Sequence, residues 1–389
     1  MSGREELRPA EDLAEEELAL RTPLRSSEAV VEPRPDADEE MPHAQLTRRN
    51  YLLGIICIVV VAALLYYGLP QIAGLDDTWR RIERGDPWWL ALAGLFTALS
   101  FAGYVVVFRY VYATASVRRI GLRESYQITM AGLAATRVFA AGGAGGIALT
   151  AWALRRAGMP PREVADRSVA FLALTYAFYM AALVVCGLGL RFGLLPGPAP
   201  WGVTVVPAGV GIAAFAVCLL IALTPTDLSR RVEGFARRGG RLARFAQRAA
   251  NLPASMSAGV RIAIRLVRQG DRSLLGTAMY WGFNIAVLWA SFRAFGESPP
   301  AAVLVMGYFV GMLGNLLPLP GGVGGVDGAT IGAFIAFGVD EGLAVVAVLT
   351  YRAFAFWLPT IPGAIAYVQL RKTVAHWRET SPATGYATA

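Results

Sequence analysis

Uncharged runs dominate the chain. Tyr51–Leu69, Trp88–Phe108, Ser168–Leu190, Phe192–Thr226 and Ser273–Phe292 contain no Asp, Glu, Lys or Arg. Each approaches or exceeds the ~20 residues a helix needs to cross the hydrocarbon core of a bilayer. The pattern predicts an all-α polytopic integral membrane protein with about seven to eight transmembrane helices plus one or two broken or re-entrant segments. Residues 1–46 read as a disordered acidic cytoplasmic tail: they hold five prolines, Pro9, Pro23, Pro33, Pro35 and Pro42, and no sustained apolar period. Residues 47–375 read as the transmembrane domain, with a basic cytoplasmic loop at 224–272, and residues 376–389 as a short polar tail.

One stretch interrupts this pattern where the chain should be most regular. Asn315–Gly328 reads NLLPLPGGVGGVDG. Pro318 and Pro320 lack a backbone donor and fix φ, so neither continues a helix. Gly321, Gly322, Gly324 and Gly325 allow backbone angles closed to other residues and let another group approach the main chain. The expectation is a broken helix. In lipid, unpaired peptide groups are tolerated only when buried in protein or lining a wet cavity, so the break points to a pocket inside the membrane domain.

A second glycine run resembles the first. GGAGGI at Gly142–Ile147 matches GGVGGV at Gly321–Val326, and Gly158-Met159-Pro160-Pro161 stands where Gly338-Val339-Asp340-Glu341 stands later. An internal two-fold repeat fits transporters in which paired broken segments meet at a binding site near the bilayer centre. The competing reading is that Gly142, Gly143, Gly145 and Gly146 only let helices pack closely in lipid. Glu124–Gly158 either enters and leaves on one side as a re-entrant hairpin or forms two short helices.

Charge sets the expected orientation. Residues 1–46 hold 13 Asp/Glu against 5 Arg, so the net charge of +8 conceals a strongly basic remainder. Such an excess in a membrane protein marks cytoplasmic loops rather than a DNA or RNA partner. Arg48 and Arg49 precede the first run and place the amino terminus inside, in a bacterial plasma membrane. Thr224–Arg272 holds 11 Arg and reads as cytoplasmic, with Ser229–Gln269 lying on anionic headgroups or packing as plain helices. The carboxy-terminal end is ambiguous. Arg371, Lys372 and Arg378 belong inside, yet a re-entrant Gly321–Gly338 would put them outside unless Gly338 faces outward or Pro359 and Pro362 break the last segment. Trp88, Trp89 and Trp201 read as interfacial belt residues. Cys57, Cys186 and Cys218 read as packing residues; no metal site or cofactor is expected.

Two arginines stand out. Arg352 is the only charge between Glu341 and Arg371, and Asp327 the only carboxylate in Ser298–Val339. Insertion scales put such an arginine at ~2.5–3.5 kcal/mol at mid-membrane, so it must face protein or water. Arg137 is the corresponding charge of the first half. One reading has Arg137 and Arg352 receive an anionic headgroup, since a guanidinium forms a permanent planar fork matched to phosphate oxygens and a helix starting after a glycine run offers N–H groups and a favourable dipole end. The other makes Arg352–Asp327 a packing ion pair, or Asp327 the N-cap of the helix after GGVGG. Tyr176, Tyr179, Asn284, Tyr308, Asn315 and Tyr351 read as satisfied packing residues.

These motifs resemble the transmembrane region of the lysylphosphatidylglycerol synthase family, also called flippase-like. Its Pro-x-Pro-Gly-Gly-x-Gly-x-x-Glu stretch and later arginine correspond to Pro318, Pro320, Gly321, Gly322, Gly324, Asp327 and Arg352. An earlier Gly-Gly-x-Gly-Gly run leading to Leu-Arg-Arg-x-Gly corresponds to Gly142, Gly143, Gly145, Gly146, Leu154, Arg155, Arg156 and Gly158. Asp327 replaces the usual glutamate, and Ile147 stands where the first motif often has a carboxylate. The resemblance spans roughly residues 48–375 and implies a protein that handles anionic or modified lipids and in some members moves aminoacylated phosphatidylglycerol between leaflets. Its expected partners are membrane lipids with anionic headgroups and a lipid-synthesis enzyme. Only 19 residues follow Leu370, too few for the soluble aminoacyl-transfer domain of the full synthases. No catalytic constellation is visible in the spans, so a non-enzymatic translocase is expected, or alternatively an accessory membrane subunit of a lipid aminoacyl- or glycosyl-transfer system.

Overall fold

A computed structural model describes residues 85–113, 120–138, 144–223, 241–316 and 324–379, and every regular element among them is helical. The amino-terminal tail, the first apolar run and the last polar residues lie outside these ranges, as do Gly142, Gly143, Gly321 and Gly322.

Helix α1, Pro87–Tyr112, starts where its sequence says it should. The Asp86 carboxylate accepts the Trp88 N–H at 2.9 Å, and Pro87 occupies the first turn, where a missing donor costs nothing. Its main partner is α7, Arg272–Phe295, capped in the same way by Asp271 on the Ser273 N–H at 2.8 Å. Small residues let the two backbones touch: a Cβ on Gly103 would sit 2.8 Å from the Gly276 carbonyl oxygen. Asn284 Nδ2 donates to Ser100 Oγ at 2.5 Å, and Ser100 Oγ donates to the Tyr280 carbonyl at 2.9 Å, so the polar groups buried in this seam satisfy one another.

Between these two helices come α2, Leu122–Val138; α3, Ala144–Arg156; α4, Pro161–Arg191; α5, Trp201–Leu223; and α6, Arg241–Arg268. After α7 come α8, Ala301–Met312, with one 3₁₀ turn at Leu313–Leu316, then α9, Gly325–Ala336, and α10, Glu341–Arg352. A π-helical segment, Ala353–Trp357, and α11, Thr360–Glu379, close the described chain.

Among the described residues, four stretches are long and apolar enough to cross a bilayer: α1, α4, α5 and the composite rod Glu341–Trp377. Helix α7 has 24 residues, but Asn284 and its aromatic amphipathic side chains make it less apolar. Helix α5 keeps Leu219, Leu220 and Leu223 more than half exposed, as a helix bordered by lipid chains would.

The remaining helices pair off. α2 and α3 run antiparallel: a Cβ on Gly146 would strike Thr136 Oγ1 and come within 2.5 Å of the Gly132 carbonyl. α8 and α9 do the same, with Gly307 against Phe334, Gly311 against Thr330 and Gly314 against the Gly325 carbonyl. These helices have 17, 13, 12 and 12 residues. At 1.5 Å per residue they reach about 18–26 Å, less than the ~30 Å of a hydrocarbon core. The helix starting at Ala301 is thus too short to cross alone, and α9 packs back along it in the opposite direction. Each pair ends in a glycine with left-handed backbone, Gly158 at φ 100° and Gly338 at φ 83°, and α4 or α10 begins a few residues later.

The core divides accordingly. One cluster gathers Ile128, Leu149, Leu154 and Met159 from the first hairpin around the carboxy-terminal half of α1, with Leu370 and Val374 of α11. The other gathers Leu304, Met306, Phe309 and Phe334 from the second hairpin with Val287, Leu288 and Phe292 of α7 and Ala347 of α10. The described half of α6 lies against α4, where a Cβ on Gly259 would come 2.6 Å from the Asp166 carbonyl. This part of the basic loop is therefore a packing helix.

Candidate functional site: two arginines on one ring

The site forms where the last rod loses its α-helical pattern. Pro359 has no N–H, so the carbonyl four residues back, that of Ala355, is denied its helical donor. The chain responds with a π turn, in which the Leu358 N–H reaches the Ala353 carbonyl at 2.9 Å. Arg137, on the last turn of α2, supplies what the proline withholds. Its Nη2 donates to the Ala355 carbonyl at 3.1 Å, and its Nη1 donates to the Phe356 carbonyl and to Thr360 Oγ1, the latter at 2.9 Å. The guanidinium carbon also stands 4.4 Å from the centroid of the Phe356 ring. Gly363 brings α2 and α11 together beside this contact, its would-be Cβ lying 2.9 Å from the Met130 carbonyl.

Arg352 is the last residue of α10, on the other approach to that ring, with its guanidinium carbon 4.3 Å from the Phe356 centroid. Its Nε meets Asp327 Oδ1 at 2.5 Å, and the two side chains are only 10% and 17% exposed. Asp327 has a second contact, its Oδ2 accepting the Gly324 N–H at 2.8 Å. It therefore caps the start of α9 and pairs with Arg352 at once. Gly324 holds φ 81°, a backbone region that a residue with a Cβ rarely adopts, and this turn aims its N–H at the carboxylate. Arg352 Nη2 is buried and has no hydrogen-bond partner among the described residues.

The structure thus brings Arg137, Arg352 and Asp327 to one place, with Gly324 and Gly325 at the helix start beside them. Gly145 and Gly146 form the first turn of α3, and Gly146 packs against Gly132 and Thr136 of α2. Arg137 is not the repeat counterpart of Arg352. It stands five residues before Gly142, and five before Gly321 stands Leu316. Sequence reasoning missed Phe356 and Thr360. The available signal was Pro359, which identifies the freed carbonyl but not the side chain that would reach it.

Of the other polar residues expected to pack, Tyr179, Asn284, Tyr308 and Tyr351 are buried, whereas Tyr176 is 50% exposed. Tyr179 donates to the Phe309 carbonyl at 2.7 Å, and Tyr351 reaches the Tyr308 hydroxyl at 3.4 Å, a long contact. Asn315 is exposed and donates to Met312 Sδ at 3.5 Å. Trp88 and Trp201 are 67% and 64% exposed at the first turns of α1 and α5, whereas Trp89 stacks edge-on against Trp289.

The chain belongs to the lysylphosphatidylglycerol synthase transmembrane-region family, whose sequence profile matches residues 52–363. A UPF0104 membrane protein of Methanothermobacter thermautotrophicus is 26% identical over 351 residues, covering 84% of this chain and 94% of the relative. A further match of the same name and organism is 22% identical over 342 residues, covering 82% and 95%. The protein is accordingly a multi-pass integral membrane protein, and its described elements are all helical.

Proposed function

We propose that the protein is a membrane-lipid translocase that receives a phosphate headgroup, from an anionic or modified phospholipid or a lipid-linked precursor, at Arg352. The observation that carries this reading is the buried, unpartnered Nη2 of Arg352 beside a broken helix. A guanidinium with one edge on Asp327 and a free nitrogen has half of its fork available for a phosphate oxygen. A purely structural ion pair gains nothing from leaving a buried donor unmade, since that costs about 1–3 kcal/mol.

The two hairpins support an internal repeat. Helix α8 begins as far beyond α2 as Gly321 lies beyond Gly142. With the amino terminus cytoplasmic and one crossing before Pro87, α1 descends inward and the α2–α3 hairpin re-enters from the inside. α4 and α5 then cross out and back, α7 crosses out, and the α8–α9 hairpin re-enters from the outside. The Glu341–Trp377 rod finally carries Arg371 and Lys372 inward. The carboxy-terminal ambiguity disappears in this arrangement, and the halves are inverted, as in transporters that rock around a midplane site. The protein works without chemistry of its own, in a bacterial plasma membrane, receiving its lipid from a synthesis enzyme.

The test is leaflet transfer of a labelled anionic phospholipid in proteoliposomes. Arg352→Ala is expected to abolish transfer while the protein still elutes as a folded species. Undiminished transfer would overturn the assignment.

A further inference from the structure

The charge count of the site narrows the headgroup. Arg137 and Arg352 are permanently charged, and both guanidiniums lie on the Phe356 ring. Asp327 neutralises one of them. The partners of Arg137 are two carbonyls and a hydroxyl, all formally neutral. Among the described residues, no other formal charge is close along the elements that build the site. The nearest are Glu124 on α2, Glu341 on α10 and Arg371 on α11, each three helical turns or more away. Helices α8 and α9 add nothing but Asp327. The charges of the flanking α1 and α7 stand toward their ends, at Arg109, Arg272 and Arg293. The cluster therefore carries one uncompensated positive charge, with one buried guanidinium nitrogen to donate.

From this balance we infer that the site selects a headgroup bearing a single negative charge, a phosphodiester, over a phosphomonoester or a net-neutral zwitterion. The inference rests on the headgroup reading above and adds specificity to it. A monoanion leaves the buried cluster neutral. A dianionic monoester leaves it negative, and a zwitterion brings an ammonium that restores the excess. A buried unbalanced charge is disfavoured in every case. Asp327 then acts as a specificity residue. Its charge sets the total, while its contact with the Gly324 N–H is one an asparagine oxygen also makes.

Native mass spectrometry of the full chain in detergent tests this with an equimolar mixture of phosphatidylglycerol, phosphatidic acid and phosphatidylcholine of matched acyl chains. A pH of about 9 lies well above the second phosphate ionisation, near pKa ~6 in phosphorylated side chains. The wild type is expected to retain the diester roughly tenfold over either competitor, and Asp327→Asn to shift that preference toward phosphatidic acid. Acyl-free glycerophosphoglycerol, added in excess, should fail to displace the lipid; displacement would reassign the site to a soluble phosphodiester and overturn the lipid source. Equal retention of diester and monoester, unchanged in Asp327→Asn, would overturn charge selection and leave the headgroup site standing. Retention of none of the lipids, or retention unaffected by Arg352→Ala, would overturn the headgroup site itself.

Discussion

The two hairpins are built alike and charged differently. In α2–α3, Gly132 and Gly146 bring the backbones together; in α8–α9, Gly311, Gly314 and Gly325 do so. Each hairpin then delivers one charged side chain to the Phe356 region. The first sends Arg137, whose Nη nitrogens are taken up by carbonyls that Pro359 and the π turn set free. The second sends Asp327, which holds Arg352 by one edge and leaves its Nη2 unpartnered. One hairpin thus splints the last rod and the other leaves a donor unspent. Equivalent scaffolds do not imply equivalent sites, since the assignment turns on which donors remain after the protein's own acceptors are served.

The comparison can be broken at several levels. The largest expected effect is all-or-none. In a background with Cys57, Cys186 and Cys218 replaced by Ser, Pro161→Cys and Glu341→Cys sit in exposed positions at the two hairpin exits. A membrane-impermeant maleimide added to sealed cells should label only Glu341→Cys, and labelling of both would refute the inverted arrangement. Next comes Arg352→Met, which strands a largely buried carboxylate and should destabilise the detergent-solubilised protein by about 3–5 kcal/mol. Arg352→Met combined with Asp327→Asn should be milder, and a denaturation cycle over the four proteins reads the coupling. Gly146→Ala and Gly314→Ala push a Cβ into backbone of the facing helix. Overpacking of this kind costs about 1–3 kcal/mol, and similar losses in the two would show that both seams are structural. Arg137→Gln strips the Ala355 carbonyl of its guanidinium donor while the Phe356 carbonyl keeps the Thr360 hydroxyl, and should cost about 1–3 kcal/mol in the same assay and slow lipid transfer only in proportion to that loss. Smallest is Gly209→Ala in α5, where a Cβ meets nothing within 4 Å. It should be neutral or stabilise by up to about 1 kcal/mol, the helix-propensity difference alone.

How far the site could be read in advance differs residue by residue. Asp327 and Arg352 were legible because a charge inside an apolar run must find a partner, and each was the only one in its run. The ion pair was legible for the same reason, but the cap was misplaced by the sequence: Gly324, not Asp327, is the N-cap of α9, and Asp327 reaches back to the Gly324 N–H from the third residue of the helix. Arg137 was legible as a misplaced charge but not in its use. Its partners are the carbonyls of Ala355 and Phe356, and main-chain acceptors leave no mark in a side-chain alphabet. The glycine run at 142–146 was ambiguous between loop and seam, and contact with Gly132 and Thr136 decided for the seam at Gly146.

By itself, the order of residues determined that this is a helical membrane protein, which stretches are apolar, where α1 and α7 begin, and that Pro359 would free a carbonyl. Those outcomes depend on short-range chemistry: transfer free energy, side-chain caps and missing donors. Tertiary structure alone decided that residues far apart in the chain, Arg137 and Arg352, would share one phenyl ring and that one buried nitrogen would be left without an acceptor. That result depends on the packing of α2 and α9 against the rod formed by α10, the π segment and α11, and no local pattern encodes a distance between them.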